Sequence, residues 1–173
     1  ADFDVAANLE WKTEDAKAYR DLGFTTGLAA PQSGVWRGQG ALVNLSDRTD
    51  AKANVLVPRA AQFAANEYER GFGSQVQYPN SLMGAIALLR QSLYDARWYR
   101  GATDASKPAL LERPEPNASL EALAPVLGKT QAVFYTADGE QDFQRIAKIR
   151  DEFNLNIVAI GNGYEYRRVA ELK

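Results

Sequence analysis

The chain has 173 residues, 46% hydrophobic and 24% charged, which suits one domain-sized core and excludes a disordered segment. Its 20 basic and 22 acidic residues give a formal net charge of -2. There is no basic run of the kind a nucleic-acid binder carries, and no apolar stretch near the roughly 20 residues of a membrane helix. It contains no histidine and no cysteine, so disulfides, thiol nucleophiles and any Ser-His-Asp relay from its own residues are excluded. Carboxylates, Lys, Arg, Tyr, Ser and Thr remain for chemistry. Residues 1–10 are acidic where a signal peptide is basic. A mature chain after cleavage would look the same, so the expected compartment of a soluble protein stays open between periplasm and cytoplasm.

In chain order, Thr13-Glu14-Asp15 predicts a helix start, with Ala16, Tyr19 and Leu22 as its apolar stripe and Gly23 at its C-terminus. Residues 24–30 (FTTGLAA) predict a short strand closed by Pro31. Residues 31–44 then read as a loop with Gly34, Gly38 and Gly40 around Trp36 and Arg37. Such a loop is either a backbone cradle for a ligand or a flexible surface segment. Residues 41–45 predict a short strand leaving it. Residues 54–65 predict another, its first half placed at an edge by Pro58.

Residues 66–77 are polar and contain glycine, and predict a loop. After Tyr78-Pro79-Asn80-Ser81 comes the strongest helical period, with Leu82, Ile86, Leu89, Leu93 and Ala96, ending at Gly101. Tyr94, Trp98 and Tyr99 are expected to pack in the core. Residues 102–117, with three prolines, read as a connector. Residues 118–127 read as a helix with Ser119 near its cap, cut short by Pro125.

The last third predicts a strand at residues 131–136 and a helix at 139–153 with Phe143, Ile146, Ala147, Ile149 and Phe153 inward. A second strand, NIVAI, follows at 156–160, then a helix at 164–172. Strand–helix–strand at this spacing implies parallel pairing, and a wholly apolar strand implies a sheet covered on both faces. The expected fold class is α/β, parallel β-α-β-α units in a single segment.

Two spots could carry chemistry. Asp138 and Glu140 follow a strand end, where α/β folds bind ligands, and are equally suited to the first turn of a helix. Gly161-Asn162-Gly163 could hold an anion on backbone N–H groups, as a nucleotide binder would, but the third glycine of the dinucleotide fingerprint is absent.

Residues 23–47 (GFTTGLAAPQSGVWRGQGALVNLSD), 78–99 (YPNSLMGAIALLRQSLYDARWY) and 138–166 (DGEQDFQRIAKIRDEFNLNIVAIGNGYEY) resemble the middle of bacterial amidohydrolase-superfamily proteins, in the imidazolonepropionase-like branch. The resemblance implies a (β/α)8 TIM-like barrel that hydrolyses C–N bonds, amide or cyclic amide, usually with one or two divalent metals such as zinc. It also implies a small-molecule substrate, and either the remainder of the barrel or a second chain as partner, with neither nucleic acid nor membrane. The chain departs from the family in having no His-x-His pair and no histidine in the strands around Phe134-Tyr135-Thr136 and Ile160-Gly161. No metal ligand carries over. The expectation is an internal piece of a longer enzyme, and the alternative is a binding or scaffold module that has lost the metal site. Under the enzyme reading, Arg37, Gln39, Tyr135, Asp138 and Asn162 are expected to line the substrate pocket.

Overall fold

In the computed structural model, residues 1–68, 78–106 and 112–171 are described. The expected loop at 66–77 and connector at 102–117 therefore lie partly outside the described residues. Five strands form one curled, half-barrel sheet in the order β1 (Thr26–Ala29), β2 (Trp36–Asn44), β3 (Val55–Ala65), β4 (Ala132–Thr136) and β5 (Ile157–Ile160). β1, β2 and β3 pair antiparallel, and β3, β4 and β5 pair parallel. The expected all-parallel arrangement thus holds only from β3 onward. The physical reason is connection length: residues 30–35 and 45–54 can return the chain only beside itself, whereas helices separate β3 from β4 and β4 from β5.

The largest revision concerns residues 36–40, expected in a loop and found in β2. Gly40 pairs with Ala61, and a Cβ there would fall 2.3 Å from the Phe63 ring and 2.7 Å from the Ala29 carbonyl oxygen. Gly38 has φ +122, with the Phe3 backbone against it. These glycines let a ring and a chain segment lie on the strand, which is neither a cradle nor a flexible loop. As Pro58 predicts, β4 pairs only with Ala61–Ala65, leaving the first half of β3 with one neighbour.

α1 (Thr13–Asp21) ends at Gly23, whose φ of +94 is the left-handed conformation expected there. α2 (Leu82–Ser106) buries Ala85, Leu89, Leu93, Ala96 and Tyr99 in one stripe. It runs through Gly101, which does not adopt the positive φ of a helix-ending glycine. Trp98 and Tyr94 are exposed, so of the three aromatic residues only Tyr99 joins the core. Pro125 splits the expected helix at 118–127 into α3 (Ala118–Ala122) and α4 (Ala124–Leu127), where it occupies the first turn. Asn117, not Ser119, caps α3, accepting from the Leu120 N–H at 3.1 Å.

α5 (Glu140–Phe153) buries Ile146, Ile149 and Phe153 as its sequence predicts, with Phe143 and Ala147 half-buried. The main core joins these to the α2 stripe and to Val133, Tyr135 and Ala137. A smaller core of Val5, Ala41 and Val43 lies at the β1–β2 side. β5 is the correction to the covered-sheet expectation. Ile157 packs on the main core, but Val158, Ala159 and Ile160 are exposed, β5 being the last strand in the sheet order. Residues 165–171 form a 3-10 turn rather than an α-helix, broken at Arg168. Among the described residues no helix is long and apolar enough to cross a membrane.

Candidate functional site

Because β2 runs antiparallel to β3, its start lies beside the carboxyl ends of the parallel strands. This puts Arg37 next to residues that follow β3 and β4. Its guanidinium donates to the Thr136 hydroxyl at 3.2 Å and to the Glu67 carboxylate at 3.3 Å. The same Glu67 oxygen accepts the Gly34 N–H at 2.9 Å, so the chain entering β2 is pinned to the chain leaving β3. Arg37 Nε is buried without a partner among the described residues.

Side chains alternate across a strand, so Thr136 and Phe134 face away from the helices while Tyr135 faces them. Tyr135 is wholly buried and donates its hydroxyl to Asn66 at 2.5 Å. Asn66 donates to the Asp142 carboxylate at 3.1 Å, which also accepts from Arg145 at 2.8 Å and from the Asp138 backbone N–H at 3.2 Å. Burial first, and the negative Asp142 second, push the Tyr135 phenol above its ordinary value. It stays protonated at neutral pH and is no general base. Its network closes the ends of β3 and β4 from below, with Asp142 serving the start of α5 from inside the helix.

Asp138 is exposed just past β4, and its carbonyl accepts from the Asn162 side chain beyond β5. Glu140 sits in the first turn of α5 and lies 3.7 Å from both Arg167 and Arg168. The Gly161-Asn162-Gly163 turn is filled from within. Gly163 N–H donates to Glu165 and Tyr164 N–H to Asn162, so a protein carboxylate stands where an anion would bind. The dinucleotide alternative loses its site.

Arg37, Asp138 and Asn162 therefore come to one end of the sheet. The other two expected residues do not join them. Tyr135 lies beneath that end, under the helices, and Gln39 lines a separate cavity with Gln131 and Glu121. Glu67, Thr136, Asn66 and Asp142 were missed. A signal existed for the first three: each stands at or just past the carboxyl end of a strand, where ligand-facing residues gather in α/β folds.

Chemically, this end can bind and orient a polar group through Arg37 and the exposed Asp138. Among the described residues no group of three or more carboxylates is placed to hold a metal ion. The donor set does not fit a divalent metal: Glu67 is committed to Arg37 and a backbone N–H, and a guanidinium already occupies the space beside Thr136.

No family model matches the chain, and no curated protein matches it. A crystal structure of an amidohydrolase from Thermotoga maritima is similar to it, with a TM-score of 0.71 at 21% identity. The similarity covers 86% of this chain and 40% of that one. The chain thus spans two-fifths of the solved amidohydrolase and shares the fold of that part.

Proposed function

We propose that this chain forms part of an amidohydrolase-type hydrolase acting on amide or cyclic amide C–N bonds, in the imidazolonepropionase-like branch. It supplies barrel wall and substrate-facing residues, and the water-activating machinery comes from segments outside these 173 residues. The observation that carries the reading is the half-barrel sheet, similar to part of the Thermotoga amidohydrolase, with Arg37, Asp138 and Asn162 at the carboxyl ends of its parallel strands. In a barrel that end is where substrate binds. The exposed faces and free edge of β5 are where the remainder of a barrel, or a second chain, would pair. Within this reading Arg37 holds a polar substrate group, and Asp138 and Asn162 shape the rim.

A second reading has one observation in its favour. The Arg37–Glu67–Thr136 cluster fills its own space without a metal, as a binding or scaffold module that has lost the metal site would. The test is hydrolysis of a panel of N-acyl amino acids and cyclic amides by the gene product that contains this chain, with metal content measured alongside. The enzyme reading expects turnover, and expects Arg37→Ala to lower kcat/KM by roughly 10- to 100-fold, the usual loss for a charged hydrogen bond. Ligand binding without turnover would favour the module. Stoichiometric zinc on these 173 residues alone would overturn the placement of the catalytic machinery elsewhere.

A further inference from the structure

Asn162 is followed by Gly163, and none of the chain's other asparagines precedes a glycine. We propose that Asn162 is a site of covalent self-modification: it deamidates through a succinimide to aspartate and isoaspartate, with Glu165 as the proton acceptor. The proposal is independent of the hydrolase reading, because the reaction is one of the chain with itself and with water.

The reaction needs a backbone nitrogen that can close on the carbonyl carbon of the preceding side chain. Glycine, with no Cβ, leaves that approach open. Gly163 has φ +90, and nothing lies within 4 Å of the place a Cβ would occupy. Asn162 is exposed, so water can enter and ammonia can leave. Glu165 is half-buried and lies across the turn, against Gly161, where no Cβ would fit. Its carboxylate is thereby held beside the attacking nitrogen.

Three contacts meet the demands of the bond change. The Gly163 N–H donates to the Glu165 carboxylate at 3.2 Å, so the nucleophile already shares its proton with a base. The Tyr164 N–H donates to Asn162 Oδ1 at 3.2 Å, the atom on which negative charge develops during attack. Asn162 Nδ2 donates to the Asp138 carbonyl, which fixes the orientation of the amide. In the first step the Gly163 nitrogen bonds to Asn162 Cγ while its proton passes to Glu165. The tetrahedral carbon then collapses, the Cγ–Nδ2 bond breaks, and the nitrogen leaves as ammonia with that proton. Water adds to either carbonyl of the succinimide, opening it to aspartate or to isoaspartate. The sum is water consumed and ammonia released, with nothing oxidised or reduced.

The product changes the rim of the sheet. Asn162 Nδ2 is the donor that ties the segment beyond β5 to the Asp138 carbonyl beyond β4. A carboxylate in its place sets an acceptor against an acceptor, so the tie is lost. Modification thus loosens the end of the sheet at which Arg37 stands.

The experiment incubates the gene product that contains this chain at neutral pH and digests samples with trypsin over time. Residues 151–167 fall in one tryptic peptide, which also carries Asn154 and Asn156, each before a large apolar residue, as internal comparators. Tandem mass spectrometry locates the mass gained when the amide becomes an acid, and chromatography separates isoaspartate from aspartate. The same peptide incubated alone gives the rate without the fold. Expected is conversion at Asn162 with Asn154 and Asn156 intact, about tenfold or more faster in the folded protein than in the peptide. Glu165→Gln should bring the folded rate down to that of the peptide. The comparison of parent with peptide stands whether or not this variant folds. An unconverted Asn162, a folded rate at or below that of the peptide, or a folded Glu165→Gln variant as fast as the parent would overturn the proposal.

Discussion

The two halves of the sheet are held together by different means. In the parallel half, β4 carries Val133 and Tyr135 into a core shared with α2 and α5, so its stability is that of a covered layer. In the antiparallel half, β2 is bordered by the N-terminal segment and β1, and beneath it lies the smaller cluster of Val5, Ala41 and Val43, with Leu9, Trp11 and Val55 packed against it. There the glycines allow close backbone approach where side chains would otherwise pack. Helix-covered strands therefore depend on side-chain volume, and β2 depends on its absence.

The first way to break this contrast is to remove volume from each half. Leu93→Ala, in the middle of the α2 stripe and wholly buried, should cost about 3 kcal/mol or more, since truncation leaves a cavity between packed layers. Val43→Ala in the smaller cluster should cost roughly 1–2 kcal/mol. Urea denaturation of both measures the difference. Equal losses would mean that the two cores are one cooperative unit of similar packing.

Adding volume should show the reverse. Gly40→Ala places a methyl against the Phe63 ring and the Ala29 carbonyl, and is expected to cost about 1–3 kcal/mol. Phe63→Leu, destabilising alone, should partly relieve the clash, so the double variant loses less than the sum. Strict additivity would show that the ring is not what Gly40 accommodates.

Sequence reasoning read the parallel half well and the antiparallel half poorly, for the same cause. Strand 131–136 and helix 139–153 announce themselves by period, because each buries a stripe of large apolar residues, and strand 156–160 by its apolar run. β2 has glycine at Gly38 and Gly40 where that signal would be, and glycine usually marks a turn. Phe63 and the Ala29 carbonyl against Gly40, and the Phe3 backbone against Gly38, explain it, and such spatial neighbours are not legible in one chain. The apolar run at β5 failed in the opposite direction. NIVAI looks buried on both faces, but burial is a property of what lies beside a strand, and nothing among the described residues covers Val158 or Ile160. Of the candidate site, Asp138 and Asn162 were legible as residues that follow strands, whereas Arg37 was read in a loop and stands at the start of β2. The Asn66–Asp142 bond joins positions 76 apart in the chain and was not legible.

That bond offers a finer test at the boundary of the two halves. Asn66→Ala should cost about 1–3 kcal/mol, because it strands both the Tyr135 hydroxyl and part of Asp142 in the interior. Tyr135→Phe removes one hydroxyl and should cost about 1 kcal/mol. The raised Tyr135 pKa also has a sign. Below the unfolded phenol value near 10.0 both states are protonated and its contribution is complete. Above it the unfolded chain ionises first, so stability falls as pH rises toward the folded value. Tyr135→Phe should flatten that alkaline decline in urea melts taken across it.

The smallest effect belongs to the outer surface of the covered half. One Glu152 oxygen accepts from Arg90 at 2.7 and 3.1 Å and from Tyr94 at 2.8 Å, tying α5 to α2. The Arg90 hydrogen bond leads in holding the Glu152 carboxyl below its ordinary value, with Tyr94 adding to it. A depressed carboxyl stabilises the fold above its unfolded value and loses that contribution as pH falls through the folded one. Arg90→Gln should therefore change stability little at neutral pH, less than any substitution above, because both partners are solvated and the pair is screened by salt. Its signature is in the shape of the acid limb. The variant's Glu152 should titrate closer to the ordinary carboxylate value by NMR, and the difference from the parent should shrink in 1 M salt. A shift that survived high salt would assign the link to packing of the Arg90 and Tyr94 stems across the helices rather than to charge.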